Sequence, residues 1–565
     1  MKPKHILFAL SFLLTSHVLN AQAPHWIWAK GAAATNFDSM NNVAIDSGGY
    51  VYMGGSFTGS TISFGNTVLT NSNSLGLLDI FLVKYDSSGN VIWATSAGNS
   101  SSEEEINDIK TDASGNILVT GYFNGNSITF GSITLINSNP GAYNNDIFIV
   151  KYDSSGTVIW AHSGGGIFDD VATSVATDAN GNVFITGRYN STDITFDTTT
   201  LINAGSTFYD LFLVKYDSSG NLLWAKTFGN IYDDLGYCVV ADASGNVYVT
   251  GYFSASTIAF DTITLNNFGN DIDVFIAKFD GNGNVLWAES AGNSEGDYGV
   301  SLATDASGNV FLAGMFRSNQ INFGGIVLLN TSNFNFDDIF LVKYNSSGQV
   351  IWARKAGGSN HDYIESISTD ANGNLLMVGT FWSNTITFNS TLLSNTNPGG
   401  GGSDIFIAKY NAIGNLLWAK GAGGAYSDRG QKVAIDPSGK IYITGLSRSP
   451  SITFGATTLI NSGGYDIYIA KLDSAMTTGI ESYNNTNAFS IYPNPASDLL
   501  TVSRQLFAKS EIVTITITDI TGKIIYSTTS ITPKTKINIK EFSPGFYIVE
   551  IKSSEFIVTQ KIVKN

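Results

Sequence analysis

The sequence is short of cysteine, proline and basic residues, and these shortages exclude several classes of protein. Its 565 residues include one cysteine, Cys238, so no intramolecular disulfide can stabilise the fold. The 46 acidic residues outnumber the 30 basic ones and give a net charge of −16. Nucleic acids and anionic membranes are therefore poor partners, because phosphate binding requires a basic surface. Ten prolines against 59 glycines indicate many tight turns.

Long apolar runs are missing except at the N-terminus. There, Lys2 and Lys4 precede an apolar run at residues 6–14, and Ala21 and Ala23 follow it. This order of charged, apolar and small residues is typical of a secretory signal peptide, which we assign to residues 1–21. The run is too short to span a bilayer. We therefore expect an exported protein without a transmembrane segment.

Repetition is what the sequence has in abundance. Tryptophans recur every 63 to 67 residues, at Trp28, Trp93, Trp160, Trp224, Trp287, Trp352 and Trp418. Aspartates that open a predicted tight turn keep step with them, at Asp46, Asp112, Asp178, Asp242, Asp305, Asp370 and Asp436. Lysines in a predicted strand recur at Lys84, Lys151, Lys215, Lys278, Lys343, Lys409 and Lys471. Glycines within another strand and Ile-x-Phe phrases repeat with the same period, so the chain contains seven similar units.

Each unit predicts four antiparallel strands. In the unit that contains Asp305, residues 301–304 and 310–314 form a hairpin, because Asp and Asn bond their own backbone and Gly accepts positive φ. Residues 338–344 and 349–353 form a second hairpin, and the connection between the two carries a phrase that suggests a small extra hairpin. Four antiparallel strands per unit, repeated along the chain, predict β-propeller blades.

The two ends of the repeat region predict how the units are joined. The last unit ends at Leu472 without its own tryptophan strand, whereas the strand around Trp28 has no unit before it. We therefore predict an all-β fold in which residues 24–473 form a seven-bladed β-propeller closed by the N-terminal strand. Closure removes exposed strand edges. An open solenoid would require capping repeats, and the sequence shows none.

The repeat pattern resembles the secreted bacterial seven-bladed β-propeller repeat family over residues 24–473. The resemblance rests on the Asp-x-x-Gly-Asn turns, the glycines within strands, and the lysine and Trp-Ala strands. It implies the fold but no particular activity, because propellers host unrelated functions.

The composition changes beyond residue 473. Residues 474–488 are polar and predict a linker, and residues 489–565 contain short alternating strands that predict a small β-sandwich. The marks of this last segment are Tyr492, Pro493, Asn494, Pro495, Gly522, Pro544, Gly545, Tyr547, Lys561 and Lys564. With these residues it resembles the type A C-terminal sorting domain of the type IX secretion system of Bacteroidetes. The resemblance implies export by that machinery, removal of the domain by a sortase, and release or attachment to surface lipopolysaccharide.

An acid stands ten residues after each repeat tryptophan, in a loop predicted to approach the central channel. One interpretation is a ring of carboxylates that binds a cation or the polar end of a ligand. The other is a structural clasp, in which each acid accepts backbone N–H bonds and joins adjacent blades; repetition in every unit favours the clasp. The acids are Asp38, Glu103, Asp170, Asp234, Asp297, Asp362 and Asp428.

Two further features bear on ligands. The turn aspartates could belong to calcium-binding loops, but calcium takes six to eight oxygen ligands. The geometry of a tight turn explains these aspartates without a metal. No other cofactor is predicted, and the identity of any metal is left open. Trp382 breaks the repeat pattern on the face that carries the longer loops, which is the predicted binding face, and is a candidate for stacking on a ligand.

Catalysis receives little support, and no catalytic residue is predicted. His25, His162 and His361 are isolated, and no Ser/His/Asp, Cys/His or zinc spacing occurs. The first hypothesis is a non-enzymatic binding or adhesion module for a glycan or surface protein. The second is a carbohydrate-active hydrolase or lyase that uses loop-face carboxylates. The third is a passive structural component, and in each case we expect a monomer at the cell surface or in the medium.

Deleting residues 489–565 should leave the remaining chain folded but stop its export, because the sorting signal is lost. Fractionation of cells into cytoplasm, periplasm, surface and medium, with detection by antibody, measures this. Normal arrival of the truncated chain at the surface or in the medium would refute the sorting role.

Overall fold

The computed structural model describes residues 24–34, 38–73, 76–99, 102–139, 144–205, 207–269, 271–332, 336–473, 489–504, 513–519, 522–532, 534–552 and 557–565. The predicted signal peptide at 1–21 and linker at 474–488 lie outside these residues. Every regular element among the described residues is a β-strand, so the prediction of an all-β fold is confirmed there. No helix with the length and apolarity of a membrane span occurs in those ranges. The chain divides into two compact units, and the larger spans Ala23–Ala475.

The larger unit consists of one leading strand and seven groups of strands, counted over the described residues. Strand β1 (Trp26–Ala34) precedes β2 (Asp38–Ile45), β3 (Val51–Phe57), β4 (Thr61–Phe64), β5 (Thr67–Thr70), β6 (Asp79–Tyr85) and β7 (Val91–Ala97). The second group is β8 (Glu104–Thr111), β9 (Ile117–Phe123), β10 (Ser127–Phe130), β11 (Ile133–Ile136), β12 (Asp146–Tyr152) and β13 (Val158–Gly165). The third is β14 (Asp170–Thr177), β15 (Val183–Tyr189), β16 (Asp193–Phe196), β17 (Thr199–Ile202), β18 (Asp210–Tyr216) and β19 (Leu222–Phe228).

The remaining groups follow the same order. The fourth is β20 (Asp234–Ala241), β21 (Val247–Phe253), β22 (Thr257–Phe260), β23 (Ile263–Asn266), β24 (Asp273–Phe279) and β25 (Val285–Ala291). The fifth is β26 (Asp297–Thr304), β27 (Val310–Phe316), β28 (Gln320–Phe323), β29 (Ile326–Leu329), β30 (Asp338–Tyr344) and β31 (Val350–Gly357). The sixth is β32 (Asp362–Thr369), β33 (Leu375–Phe381), β34 (Thr385–Phe388), β35 (Thr391–Ser394), β36 (Asp404–Tyr410) and β37 (Leu416–Ala422). The seventh is β38 (Asp428–Ile435), β39 (Ile441–Ser447), β40 (Ser451–Phe454), β41 (Thr457–Ile460) and β42 (Asp466–Leu472).

In each of the first six groups, the first, second, fifth and sixth strands form one antiparallel sheet, and we number these sheets 1 to 6. Sheet 7 has the order β38-β39-β42-β1, so the leading strand occupies the place of its missing fourth strand. The first strand of each sheet contacts the first strand of the next, and β38 contacts β2. Antiparallel four-stranded sheets packed face to face in this way are the arrangement of a β-propeller.

The Ile-x-Phe phrases form small hairpins, as predicted. The third and fourth strands of each group pair with each other, as in Ile128 with Leu135. Three of these hairpins also extend the outer strand of the preceding sheet; β16, for example, pairs with β13 through Thr195 and Gly165. They therefore help to join neighbouring sheets at the outer side.

The core lies between successive sheets. The second and third strands of a sheet are buried along their length, because both of their faces pack against neighbours; β3 and β6 show this pattern. One such interface joins Phe311 and Trp352 of sheet 5 to Leu375 and Phe406 of sheet 6. The fourth strands are only half-buried and lie at the outside.

Buried lysines and the repeat tryptophans join one sheet to the next. In sheet 3, Lys215 Nζ and Trp224 Nε1 both donate to the Gly281 carbonyl of sheet 4, at 2.7 and 3.3 Å. The same double contact recurs from sheets 1, 2, 4 and 5 to the following sheet. Sheet 7 makes it with sheet 1, where Lys471 and Trp28 reach the Ser87 carbonyl at 2.9 and 3.4 Å.

The smaller unit contains two antiparallel sheets from Phe489 onward. They enclose a core that includes Leu500, Ile515, Ile537 and Val549. One sheet consists of β43 (Phe489–Tyr492), β44 (Leu499–Arg504) and β47 (Lys534–Asn538). The other consists of β45 (Val513–Asp519), β46 (Ile524–Ser530), β48 (Gly545–Lys552) and β49 (Ile557–Lys564).

The structure brings several predicted sorting residues together. Asn494 accepts a hydrogen bond from the Val563 amide at 2.9 Å and donates to the Lys561 carbonyl at 3.0 Å. The Pro-Asn-Pro phrase therefore lies against the terminal strand that carries Lys561 and Lys564. Tyr547 is buried, and its hydroxyl donates to the Ser543 carbonyl at 2.8 Å.

The glycines within strands have a steric cause that predicts a mutational effect. A Cβ on Gly251 would lie 1.8 Å from the Leu235 carbonyl oxygen of the paired inner strand. We expect Gly251→Ala to lower the free energy of unfolding by about 1–3 kcal/mol, which is typical of overpacking, as measured by denaturant unfolding. The control is Gly421→Ala, whose Cβ would meet an oxygen only at 3.6 Å. Equal stability of the two variants would contradict this account.

Candidate functional site

The predicted acidic ring lies between sheets, at the start of the innermost strands. Asp38, Asp170, Asp234, Asp297, Asp362 and Asp428 are each the first residue of a first strand, and their side chains are fully buried. In sheet 2 the register places Glu104 in this position, paired with Phe123, whereas Glu103 lies one residue earlier and is half-buried. One extra residue after Trp93 causes the shift, so equal spacing along the sequence selects the wrong neighbour.

Some of these acids accept hydrogen bonds from groups close to them. Asp170 accepts hydrogen bonds from the Gly166 amide at 2.7 Å and the Ser191 hydroxyl at 2.9 Å. Asp428 accepts from Ser447 and Ser449 at 2.6 and 2.8 Å. None of the seven predicted acids is among the residues that line the central cavity described below. Their role in binding a ligand or cation stays a prediction.

Each acid at the start of a first strand faces a second buried aspartate from the preceding sheet. Burial, followed by the charge of Asp210, raises the pKa of Asp234 to about 8; the amides of Asn230 and Ser254 lower it by less. Burial likewise raises the pKa of Asp210 to about 7. The pair of Asp234 and Asp210 therefore favours at least one proton at neutral pH. The second aspartates are Asp79, Asp146, Asp210, Asp273, Asp338, Asp404 and Asp466.

The turn aspartates considered for calcium are already engaged. The Asp112 carboxylate accepts the amides of Ser114 and Asn116, both at 2.9 Å, and forms an ion pair with Lys151 at 2.9 Å. Similar ion pairs join Asp305 to Lys343 and Asp370 to Lys409. Over the described ranges, no group of three or more His, Cys, Asp or Glu side chains is arranged to hold a metal. These contacts explain why the turn aspartates and strand lysines repeat together.

A cavity of about 670 Å³ lies at the axis where the first strands meet. All seven sheets contribute first-strand residues to it, from Asn42 in β2 to Lys432 in β38. Its aromatic side chains are Tyr122, Tyr237, Tyr298 and Tyr363. Its charged side chains are Glu105, Asp169, Arg188, Arg317, Asp337, Glu365 and Lys432.

Most of the acids that line the cavity are held by donors. Glu105 accepts hydrogen bonds from Tyr122 and Ser39, both at 2.6 Å. Asp337 contacts Arg317 at 3.3 Å and His361 Nδ1 at 2.5 Å. These contacts hold the acids in the wall of the cavity. The tyrosine rings are the other prominent part of that wall.

Glu365 differs from the other acids of the cavity, because it accepts no hydrogen bond from the described residues. Its side chain is exposed to the open space of the cavity. Desolvation by the cavity wall raises its pKa to about 7, against the lowering influence of Arg429 and Lys432. Glu365 can therefore hold or release a proton near neutral pH.

An ion pair beside the cavity joins two first strands, β38 and β8. Lys432 of sheet 7 lies 3.4 Å from Asp108 of sheet 2. Asp108 is fixed by the Ser174 hydroxyl at 2.9 Å and the Val175 amide at 3.1 Å. A smaller space of about 190 Å³ lies along the same strands and is lined by Asp108, Cys238 and Lys432. Lys432 thus lines both spaces, whereas Asp108 lines only the smaller one.

The sequence prediction missed this cavity, and the aromatic residue that it proposed for stacking on a ligand, Trp382, lies elsewhere. Trp382 is half-buried, its amide donates to the His361 carbonyl at 2.9 Å, and it is not among the residues that line the cavity. The residues that do line it differ from repeat to repeat, so a search for recurring positions passes over them. Comparing the repeats for positions one and three residues into the first strand would have found Glu105, Tyr298, Tyr363 and Glu365.

Residues 490–565 match the family described as secretion system C-terminal sorting domain. This match indicates secretion through the type IX system to the cell surface or the outside. The chain is similar to an uncharacterized WD repeat-containing protein of Acanthamoeba polyphaga mimivirus, with 26% identity over 478 residues, which cover 71% of this chain and 34% of the relative. The regulatory protein FlaEY of Caulobacter vibrioides is 24% identical over 40% of this chain and 24% of its own length. The chain thus spans about a third or less of these relatives.

The chain also matches solved structures, with low TM-scores and low sequence identity. The Neurospora crassa Pan2 WD40 domain matches with a TM-score of 0.38 and 8% identity, covering 81% of this chain and 99% of that domain. A polysaccharide lyase of family PL25, an ulvan lyase, matches with a TM-score of 0.38 and 11% identity, covering 78% and 97%. The strand pairing described above remains the basis of the fold assignment.

The buried carboxyl pairs predict that stability falls as the pH rises. Their folded pKa values of about 6 to 8 exceed the unfolded value of 3.8, so protonation stabilises the folded state. This contribution is complete below pH 3.8 and is lost as the pH rises through the folded values. We expect the thermal midpoint to fall between about pH 5 and pH 9, as measured by calorimetry.

Asp234→Asn tests the origin of that effect. The amide cannot ionise, so we expect a higher midpoint than the parent at pH 8 and a weaker dependence on pH. The control is Asp217→Asn in an exposed turn, where hydrogen bonds from Asn221 lower the pKa of the carboxyl. The control should keep the fall at high pH, and an unchanged pH profile in Asp234→Asn would contradict the assignment.

Proposed function

We propose that the larger unit is a closed seven-bladed propeller of an exported protein. We propose further that its central cavity binds a glycan without changing it chemically. The pairing of β1 with β42 and the contacts of Lys471 and Trp28 with Ser87 support closure. These contacts join the first and last repeats as the internal repeats are joined. The secreted propeller-repeat family and a Bacteroidetes-type cell remain the proposed setting.

The tyrosine-lined cavity is the observation that carries the binding proposal. Aromatic faces pack against the apolar faces of sugar rings, and fixed polar groups orient the hydroxyls. The hydroxyls of Tyr298 and Tyr363 make no hydrogen bond to the described residues, so they are available to a ligand. Tyr298 packs edge-to-face on Tyr252 with ring centroids 5.5 Å apart, and Tyr363 stacks on His361 at 5.6 Å. The rings are thus positioned before a ligand arrives, which lowers the entropy cost of binding.

Delivery to the cell surface is consistent with a glycan-binding role. The matched sorting domain indicates delivery to the cell surface or the medium, where glycans and surface proteins are the accessible ligands. The machinery of the type IX system and a sortase are the proposed transient partners of the C-terminal unit, and the larger unit is proposed to act as a monomer.

One observation favours a second candidate, a carbohydrate-active hydrolase or lyase. Glu365, whose pKa lies near 7, could transfer a proton to or from a bound sugar. If the binding proposal holds, Glu365→Gln still binds the ligand, and neither the parent chain nor this variant forms products. If the parent chain forms products and Glu365→Gln does not, the protein is an enzyme and the binding proposal is wrong.

We expect Tyr298→Ala to weaken glycan binding by about 2- to 13-fold, because losing an aromatic contact costs about 0.5–1.5 kcal/mol. A glycan and matrix-protein panel first identifies a ligand, and isothermal titration calorimetry then measures its affinity for the full secreted chain. Trp382→Ala is the matched control and should bind normally.

Two results would contradict the proposal. A loss of affinity in Trp382→Ala but not in Tyr298→Ala would move the site to the loop face around Trp382. Failure of the folded chain to bind any glycan or protein of the panel would favour the passive structural role.

A further inference from the structure

The cations of the central cavity indicate which kind of glycan it binds, an inference that rests on the proposed function. Three basic side chains line the cavity. Arg317 is paired with Asp337 at 3.3 Å, and Lys432 is paired with Asp108 at 3.4 Å. Within the described part of the chain, Arg188 has no carboxylate within 4.0 Å. It is therefore the cavity cation with unused charge.

Arg188 is held in place without using its donors. It lies in β15 and is half-buried, and its guanidinium carbon stands 5.3 Å from the centre of the Tyr209 ring. Stacking on an aromatic ring orients the guanidinium plane and leaves its N–H groups free. Its Nε is buried and has no hydrogen-bond partner among the described residues. Because Nε is not accessible from the cavity, a ligand there would meet the terminal Nη groups of this half-buried side chain.

The nearest acids are bound by other groups. Asp169 accepts the Tyr209 hydroxyl at 2.8 Å and also the Asn145 side-chain amide. Asp233 accepts the Tyr209 backbone amide at 3.0 Å. The same tyrosine that supports the guanidinium thus holds both carboxylates, and neither of them forms an ion pair with Arg188.

The acidic chain as a whole limits the ligand in a second way. A net charge of −16 repels a densely charged polyanion. Charges farther away than about 8 Å are largely screened at physiological salt, so a single carboxylate close to Arg188 is not repelled in this way. The site therefore fits a glycan with isolated acidic residues.

We propose that Arg188 binds the carboxylate of a uronic or sialic acid residue carried on an otherwise neutral glycan. The guanidinium fork matches a carboxylate with two parallel hydrogen bonds. The tyrosines of the cavity contact the sugar rings of the same ligand. Arg188 is thus the specificity-determining residue of the proposed glycan site.

The test compares matched pairs of oligosaccharides on the full secreted chain by calorimetry. One pair is a xylo-oligosaccharide with and without a glucuronic acid branch, and the other is sialyllactose and lactose. We expect at least one acidic member to bind about 10- to 100-fold more tightly than its neutral partner, the range for a charged hydrogen-bonded pair. Arg188→Gln should remove this preference, and Arg188→Lys should restore part of it.

Arg448→Gln is the matched control. Its guanidinium also stacks on a tyrosine, Tyr465, at 5.9 Å, but it is not among the residues that line the cavity. This variant should keep the full preference for the acidic sugar. Thermal melts of all variants check that they are folded. The comparison of acidic with neutral ligands on the parent chain does not depend on any variant being folded.

The outcomes separate this inference from the proposed function. Equal binding of acidic and neutral glycans, or a preference for the acidic sugar that survives Arg188→Gln, overturns the role of Arg188 but leaves a glycan-binding cavity. If neither member of these pairs binds but a neutral glycan of the wider panel does, the acidic sugar is again excluded. If no glycan of any kind binds, the proposed function fails and this inference fails with it.

Discussion

The structure of the larger unit depends on a buried lysine that is shared between two sheets. The ammonium of Lys151 lies 2.9 Å from Asp112 in its own sheet and 3.1 Å from the Ser218 carbonyl in the next. A buried ammonium requires both an opposite charge and hydrogen-bond acceptors, because desolvation without them costs several kcal/mol. Each sheet can meet this requirement only when its neighbour is in place. Folding of one repeat is therefore coupled to folding of the next.

The same requirement explains why the first and last repeats meet. Lys471 has its aspartate, Asp436, within its own sheet, at 3.9 Å. Its carbonyl acceptor, Ser87, lies 384 residues away in sheet 1. The repeat tryptophan that accompanies this lysine is Trp28, which the N-terminal strand supplies. The contacts that join neighbouring repeats thus also join the two ends of the repeat region.

Repetition builds the frame, and departures from repetition build the cavity. Residues buried between sheets face nearly the same environment in every repeat, so the same residue types recur there. Residues that point toward the axis face open space, and packing does not fix their identity. Tyr298, Tyr363 and Glu365 could therefore differ from their counterparts without disturbing the sheets. Such a surface can be adapted to a ligand, which is why we place the proposed function there.

Much of the frame could be predicted from the sequence because its causes are local. Turn aspartates bond their own backbone, alternation separates the faces of a strand, and both leave marks at fixed spacing. The acids at the start of the first strands were found by the same spacing, but their surroundings were not. A single extra residue before β8 exchanged Glu103 for Glu104, because strand pairing rather than chain distance sets the register. The facing aspartates, such as Asp210 opposite Asp234, come from different repeats, and no local pattern joins them.

The sequence by itself determined the strands, their grouping into repeats and the export signal of the C-terminal unit, because short-range turn chemistry, hydrophobic alternation and contiguous motifs encode these features. Only the tertiary structure decided which side chains meet at the axis. Arg188, Tyr298 and Glu365 come from three different sheets and share no motif. They line one cavity because packed sheets bring first and second strands from distant repeats close to a common axis. That packing also buries Glu104 and the six predicted aspartates at the starts of the first strands, and none of these acids lines the cavity.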